Sequence, residues 1–374
     1  MFDLRAHTHL LTIAGSRAHG LHSQASDVDL KGLAVPPAAF FHGIRGEFEQ
    51  SDDAVQFPVF LPDLTAEEQA IARQSGVEGS VYGVQKFLRL ASKSNPNVLE
   101  CLFCRDQEVR ILSPLGERLR EARSLFLSAK CVQTFSGYAA NQLARIRLHY
   151  QWHHNGPKAA PKRTDFDLPE AALLPPQDLE AAESAVQKQL DRWELDLTGM
   201  EKAERVKALA GMRQTLCEIG LASDESLWEA GARWIGLDDN LVHVMKRERE
   251  YRSARSEWRQ YQGWKANRNS ARAELEAKHG YDTKHGAHLV RLLRMGLEIA
   301  RTGECIVWRE GHDGEELRAI RGGAWSYEEL LEWSNTRSLE LRQLKRETMV
   351  VPARPDHEAI DALCMELVEQ ALAC

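Results

Sequence analysis

Two aspartates two residues apart, Asp27 and Asp29, lie in Ser26-Asp27-Val28-Asp29-Leu30-Lys31-Gly32, about a dozen residues after Gly15-Ser16-Arg17-Ala18-His19-Gly20. On a strand, residues two apart face the same side and lie about 6.6 Å apart along the chain. Both carboxylates therefore converge on one place. Phosphoryl-transfer sites hold two divalent ions roughly 3.5–4 Å apart, a span that two same-face aspartates can serve together. Magnesium suits such hard oxygen ligands, with manganese as the alternative ion. Gly15 lets the backbone approach a triphosphate, and the Ser16 hydroxyl and the amides after it can donate to its oxygens. Arg17 and Lys31 are the cations nearest in sequence and are expected among the nucleotide contacts. An Asp-x-Asp on a solvated strand end is common by chance. The Gly-Ser turn placed ahead of it makes the pattern more specific. The chain lacks a G-x-x-x-x-G-K-[ST] run and a G-x-G-x-x-G run, so the usual P-loop kinase and Rossmann readings lose their main support.

A second constellation runs Tyr281-Asp282-Thr283-Lys284-His285-Gly286-Ala287-His288-Leu289-Val290-Arg291. On a helix Lys284, His288 and Arg291 fall at i, i+4 and i+7 on one face, with Tyr281 one turn earlier. Such a stripe suits a polyphosphate, Lys as a point charge and Arg as a planar fork. The plainer alternative is a solvated basic face. His285-x-x-His288 is read as lacking the third ligand that zinc requires. A third group interleaves aromatic and basic residues: Arg145, Trp152, Lys162 and Arg163, then Trp264 and Arg268. Aromatic faces stack on unpaired bases while Arg and Lys follow the backbone, so these are candidates for holding single-stranded RNA or a tRNA end. Core aromatics beside solvated charges would read the same way.

The Gly-Ser and Asp-x-Asp pattern resembles the signature of the DNA polymerase β nucleotidyltransferase superfamily. Within it, the chain is similar to the RNA-repair-pathway polymerase β family, encoded beside RNA ligases. The likeness also rests on Val81-Tyr82 with Lys86 to Ala91, Asn95-Pro96-Asn97-Val98-Leu99-Glu100, Trp264 to Asn269, Gly280 to Arg291 and Val351-Pro352. It implies a third metal-binding acid just before the Val-Tyr pair. Glu78 stands where that family typically has an Asp, and Asp52, Asp53 and Asp63 are the substitutes. The resemblance further implies attack of an acceptor hydroxyl on the α-phosphate of a nucleoside triphosphate, with pyrophosphate leaving. Asp27, Asp29 and Glu78 would hold the metals, and an RNA or tRNA end would be the acceptor. AMP transfer to a protein or small molecule is the alternative within the enzyme class. A nucleotide-binding sensor or scaffold for an RNA ligase is the alternative outside it.

The elements that must position these groups read as α+β: a polymerase β-like domain with a small mixed sheet, then a large, mostly helical region. Leu10–Ala14, closed by Gly15-Ser16, and the alternating stretch from Asp27 to Val35, stopped by Pro36-Pro37, are expected strands. Helices are expected from Val84 to Ser92, at about 97–104, and predominantly from about 114 onward, with a loop at about 155–163 and a pause near His279-Gly280. Cys305–Trp308 is a further expected strand, before a last helix at about 357–372. These readings divide the chain into a catalytic domain (1–112), a helical domain with basic contacts (113–302) and a small terminal unit (303–374).

A formal charge of −7 argues against a protein that coats nucleic acid over its whole surface. Thirteen basic against six acidic residues from Lys246 to Arg294 leave room for a local positive groove. Seven cysteines scattered over 374 residues suit a reducing compartment, and Cys101-Leu-Phe-Cys104 reads as buried structural thiols. With no apolar run of membrane-spanning length and no apolar leader, the expected location is the cytoplasm, with no membrane partner.

Overall fold

The computed structural model describes all residues except 1, 24–25, 45, 54, 173–174, 193–227, 230–231, 234, 267–269, 345–348 and 374. Five strands form one mixed sheet: β1 (Thr8–Ile13), β2 (Val28–Ala34), β3 (Gln50–Ser51), β4 (Val77–Gly83) and β5 (Val109–Leu112), in the order β3-β4-β2-β1-β5. β1 runs antiparallel to β2 and to β5, β2 runs parallel to β4, and β3 pairs antiparallel with β4. The fold is thus α+β, as the sequence implies.

Residue alternation explains how this sheet carries two interiors. Leu11, Ile13, Val28, Leu30, Val77 and Val81 point to one face and pack with Phe57 and Phe60. Leu10 and Leu33 point to the other, where the helices lie. Asp29 and Lys31, out of phase with Val28 and Leu30, therefore fall on the helical side.

In chain order the helices include α1 (Gly15–Ala18), α2 (Ala66–Ser75), which packs on the Phe57 face instead, α3 (Val84–Ser92), α4 (Pro96–Phe103), α5 (Pro114–Glu121) and α6 (Lys130–Asn155). Asn95 caps α4 by accepting from the Asn97 N–H at 3.0 Å, and Pro96 occupies the first turn, where its missing N–H costs nothing. What reads in sequence as a break is thus a helix start. After α7 (Pro176–Arg192) and α8 (Asp239–Ala266) come α9 (Ser270–His279), α10 (Thr283–Thr302), α11 (Gly314–Arg321), α12 (Tyr327–Gln343) and α13 (His357–Ala373). Gly280, at φ +79°, makes the expected pause.

Contacts divide the chain into two compact units, Met1–His154 with Asn269–Cys374, and Asn155–Arg268. This differs from the three sequential segments expected at 1–112, 113–302 and 303–374. The reason is burial: Leu289, Leu292 and Met295 of α10 and Ile360, Leu363 and Leu367 of α13 share one apolar core with Leu10, Leu33, Phe87 and Leu99. The C-terminal helices thus complete the core beneath the sheet. The second unit has its own small interior of Leu179, Val186, Trp228, Val242 and Met245.

The expected strand at Cys305–Trp308 is not one. Its backbone is met by His19, the residue that follows α1: the His19 Nδ1–H donates to the Val307 carbonyl and the Arg309 N–H to the His19 carbonyl, each at 3.0 Å. Apolar β-branched residues give a strand-like pattern there because Cys305 and Val307 are buried, not because a ladder forms. Arg309, fully buried next to them, is held by Glu298 and Asp313 at 2.6–2.8 Å. Among the described residues no helix is long and apolar enough to cross a membrane.

Candidate active site

β1 leaves the sheet at Gly15, and the following bend packs on β2. The Ala14 N–H donates to the Asp29 carbonyl at 2.8 Å. Gly15 takes φ +62°, and a Cβ built on it would lie 2.3 Å from Asp29 Oδ2. Both conditions demand glycine: a left-handed backbone, and a carboxylate packed where a side chain would start. In Gly15→Ala, the strain and the displaced Asp29 carboxylate are expected to lower kcat by about 10²-fold, since a 1 Å misplacement of a reacting group can cost that much. Kinetics beside thermal melts check this. A variant with wild-type kcat would show that this packing is dispensable.

The parallel register of β2 and β4 sets Asp29 opposite Glu78, with side chains on the same face. Asp27 precedes β2 and is exposed, Asp29 is half-buried and Glu78 is exposed. Burial raises the pKa of Asp29; Lys31 and Lys284 oppose that shift, while Asp27 and Glu78 add to it. The three acids and two lysines therefore share one electrostatic neighbourhood. Asp63 is taken by Arg5, at 2.7 Å to each carboxylate oxygen, Asp52 accepts from Gln50, and Asp53 accepts from the Val55 N–H. None of these three substitutes acts on Asp29 in the way Glu78 does. Three hard carboxylates whose repulsion disfavours ionisation of the central one form a donor set suited to divalent cations. They do not gather as tightly as ligands of one ion, with all donor atoms within 4.8 Å, but two ions roughly 3.5–4 Å apart ask for a wider set.

Arg17 is not aimed at this opening. Buried behind the bend, it donates to the carbonyls of Asp27 (3.3 Å) and Ser26 (3.2 Å) and pairs with Glu67 at 3.6 Å. It therefore braces the segment that carries Asp27 and is a positioning residue, in place of the nucleotide contact expected from sequence. Lys31 donates to Asn97 Oδ1 at 2.8 Å, and burial lowers its pKa. Ser16, half-buried, follows Gly15 on the bend.

Beneath Lys31 lies a polar cluster that the sequence does not announce. Glu100 of α4 receives Arg291 Nη1 at 2.5 Å and has His19 Nε2 at 3.3 Å. Burial works against the Glu100 carboxylate, but Arg291, His19 and Lys31 outweigh it and hold its pKa well below the usual range. Arg291 is consequently a buried counter-ion, not an exposed phosphate fork. Tyr281 is core as well, its hydroxyl donating to the Trp325 carbonyl at 3.0 Å. Burial, with Arg291 next, pushes His288 down to about 3. Of the expected stripe, Lys284 alone is exposed, and it acts on Asp29. The helical spacing is right, but α10 descends into the core, so its basic face passes from solvent to interior within two turns.

The RNA candidates separate likewise. Trp152 is buried and stacks on His149 with centroids 5.6 Å apart. Arg163 is paired with Glu248. Arg145 and Lys162 are exposed, and Trp264 is half-buried and stacked on Tyr261 at 5.7 Å. Arg268 lies outside the described residues. Cys101 and Cys104 are buried thiols, pushed up by burial to about 11 and about 12.

The first strand of the mixed sheet thus ends in a Gly-Ser bend packed against the Asp-x-Asp strand, the arrangement expected of a polymerase β-like nucleotidyltransferase. Residues 5–155, less than half of the chain, match the family described as RNA repair pathway DNA polymerase beta family, and this stretch is similar to it. No curated protein and no solved structure gives a match. The matched stretch contains Gly15, Asp27, Asp29 and Glu78; the segment Tyr281–Arg291 lies beyond it. A nucleotidyltransferase role fits this similarity.

Proposed function

We propose that the chain transfers a nucleoside monophosphate from a nucleoside triphosphate to the hydroxyl of an RNA or tRNA end. The acceptor oxygen forms a bond to the α-phosphorus, the bond from that phosphorus to the bridging oxygen breaks, pyrophosphate leaves, and a carboxylate takes the hydroxyl proton. The observation that carries this reading is the in-register pair Asp29 and Glu78 beside Asp27, against the Gly15 bend. Asp27, Asp29 and Glu78 would hold two magnesium ions, which lower the pKa of the attacking hydroxyl and neutralise the triphosphate. Ser16 and Lys284 would contact the triphosphate, and Lys31 would add positive charge below it. Glu78 is the candidate for accepting the proton, being exposed and on the strand next to Asp29. Cytoplasmic location and an RNA ligase partner accord with this reading.

The test is incubation of the full chain with magnesium, each labelled triphosphate in turn, and either RNA ends or total protein. Label on RNA is the expected result. Label on protein or a small molecule would move the acceptor to the alternative class, and triphosphate binding without transfer to any acceptor would indicate a sensor.

A further inference from the structure

We propose a second metal site, for a transition-metal ion of the zinc class, built by His149, Asp282 and His285. It shares no residue with the carboxylate site of β2 and β4. His149 comes from the end of α6, Asp282 is the N-cap of α10 and His285 sits in its first turn. One ligand atom from each lies within 4.8 Å of the other two. A tetrahedral ion with bonds of about 2.0–2.2 Å spaces its donors about 3.4 Å apart, so small side-chain rotations close the set. His285 Nε2 and Asp282 Oδ2 are already 3.6 Å apart.

The surroundings favour a cation. Asp282 is buried, with Oδ1 accepting from the His285 N–H at 3.0 Å, which fixes the carboxylate and leaves Oδ2 directed towards the histidine ring. His285 Nδ1–H donates to Gln142 Oε1 at 2.7 Å. In the neutral ring that bond leaves the lone pair on Nε2, as outer-shell partners of metal-bound histidines do. A lone pair and a carboxylate oxygen facing each other at 3.6 Å are reconciled by a positive charge between them. Two imidazoles and one carboxylate favour zinc, cobalt or iron(II) over magnesium, and leave a fourth position for water or a ligand. His149 and His285 are half-buried, so that position has access. The pairing His285-x-x-His288 is not the one formed: Asp282, three residues before His285, and His149, far away in sequence, supply the ligands instead. An ion here would tie α6 to the start of α10, the turn from which Lys284 acts on Asp29.

The test uses the full chain stripped with chelator and carrying Asp27→Asn and Asp29→Asn, in excess magnesium, titrated with cobalt(II). One equivalent should bind with the visible absorption of a low-coordinate nitrogen and oxygen site, and zinc should displace it. His149→Ala and His285→Ala should each weaken binding more than tenfold. Asp282→Asn, which keeps the helix cap, should do the same, and Gln142→Leu, which removes no ligand, should weaken it 10–100-fold. Circular dichroism identifies any variant that fails to fold, and for those the conservative His149→Gln replaces the alanine. Absence of the cobalt band in the stripped parent, or its persistence in a folded variant lacking both His149 and His285, would overturn the proposal.

Discussion

Asp29→Asn is expected to lower nucleotidyl transfer by about 10³-fold with little loss of fold. Metal stabilisation of charge in a phosphoryl-transfer transition state amounts to several kcal/mol, and each 1.36 kcal/mol is tenfold in rate. The substitution is nearly isosteric, so the contact with Gly15 and the bond from the Ala14 N–H to the Asp29 carbonyl both remain. It also removes a charge that burial, Asp27 and Glu78 all oppose. The folded protein should therefore be as stable as the parent, or more so, at neutral pH. Single-turnover rates at saturating magnesium beside thermal melts separate the two effects. A variant that keeps more than a tenth of the parent rate would remove Asp29 from the chemistry, and with it the argument that the two-residue spacing serves a metal pair.

The parts of this molecule that were legible in sequence are those in which local pattern and tertiary role coincide. Alternation in Val28-Asp29-Leu30-Lys31 is enforced by burial on one sheet face, so strand and candidate acids appear together. Gly15 is legible because its reason is local: the backbone turns where a carboxylate packs. What sequence spacing cannot encode is depth. Lys284, His288 and Arg291 share a helix face by periodicity, yet α10 enters the core obliquely, so the first is exposed and the last is a buried partner of Glu100. Arg17 looks like a phosphate ligand beside Ser16, whereas the chain reversal turns it towards the carbonyls of Ser26 and Asp27. Cys305–Trp308 shows the converse, an apolar run buried by a neighbouring loop rather than by strand pairing. The set His149, Asp282 and His285 joins elements more than a hundred residues apart, and of its members only the short Asp282–His285 spacing is visible locally.

Glu100→Gln carries the other large expected effect, on stability. Glu100 is the counter-ion of Arg291 and lies within the fields of His19 and Lys31, all below the candidate site. Removing one partner of a buried pair leaves the other charge uncompensated, at a cost of about 3–5 kcal/mol. The double variant Glu100→Gln with Arg291→Met should recover much of that loss, because apolar or neutral replacement of both partners is often close to neutral. It should not recover transfer activity if the cluster sets the position of Lys31. The same cluster predicts how the parent responds to acid. Glu100 has a depressed folded pKa, so its contribution is present above the ordinary glutamate value and disappears as pH falls through the folded one. His288 is also depressed, to about 3, so unfolded chains take up its proton from about pH 6.5 downward while folded ones resist. Stability should therefore decline steadily from pH 6.5 towards 3, and His288→Phe should flatten the upper part of that decline. Urea midpoints between pH 7 and pH 4 measure both slopes. A Glu100→Gln protein as stable as the parent across that range would mean that Arg291 finds another counter-charge, and that the buried cluster does not hold the floor of the site.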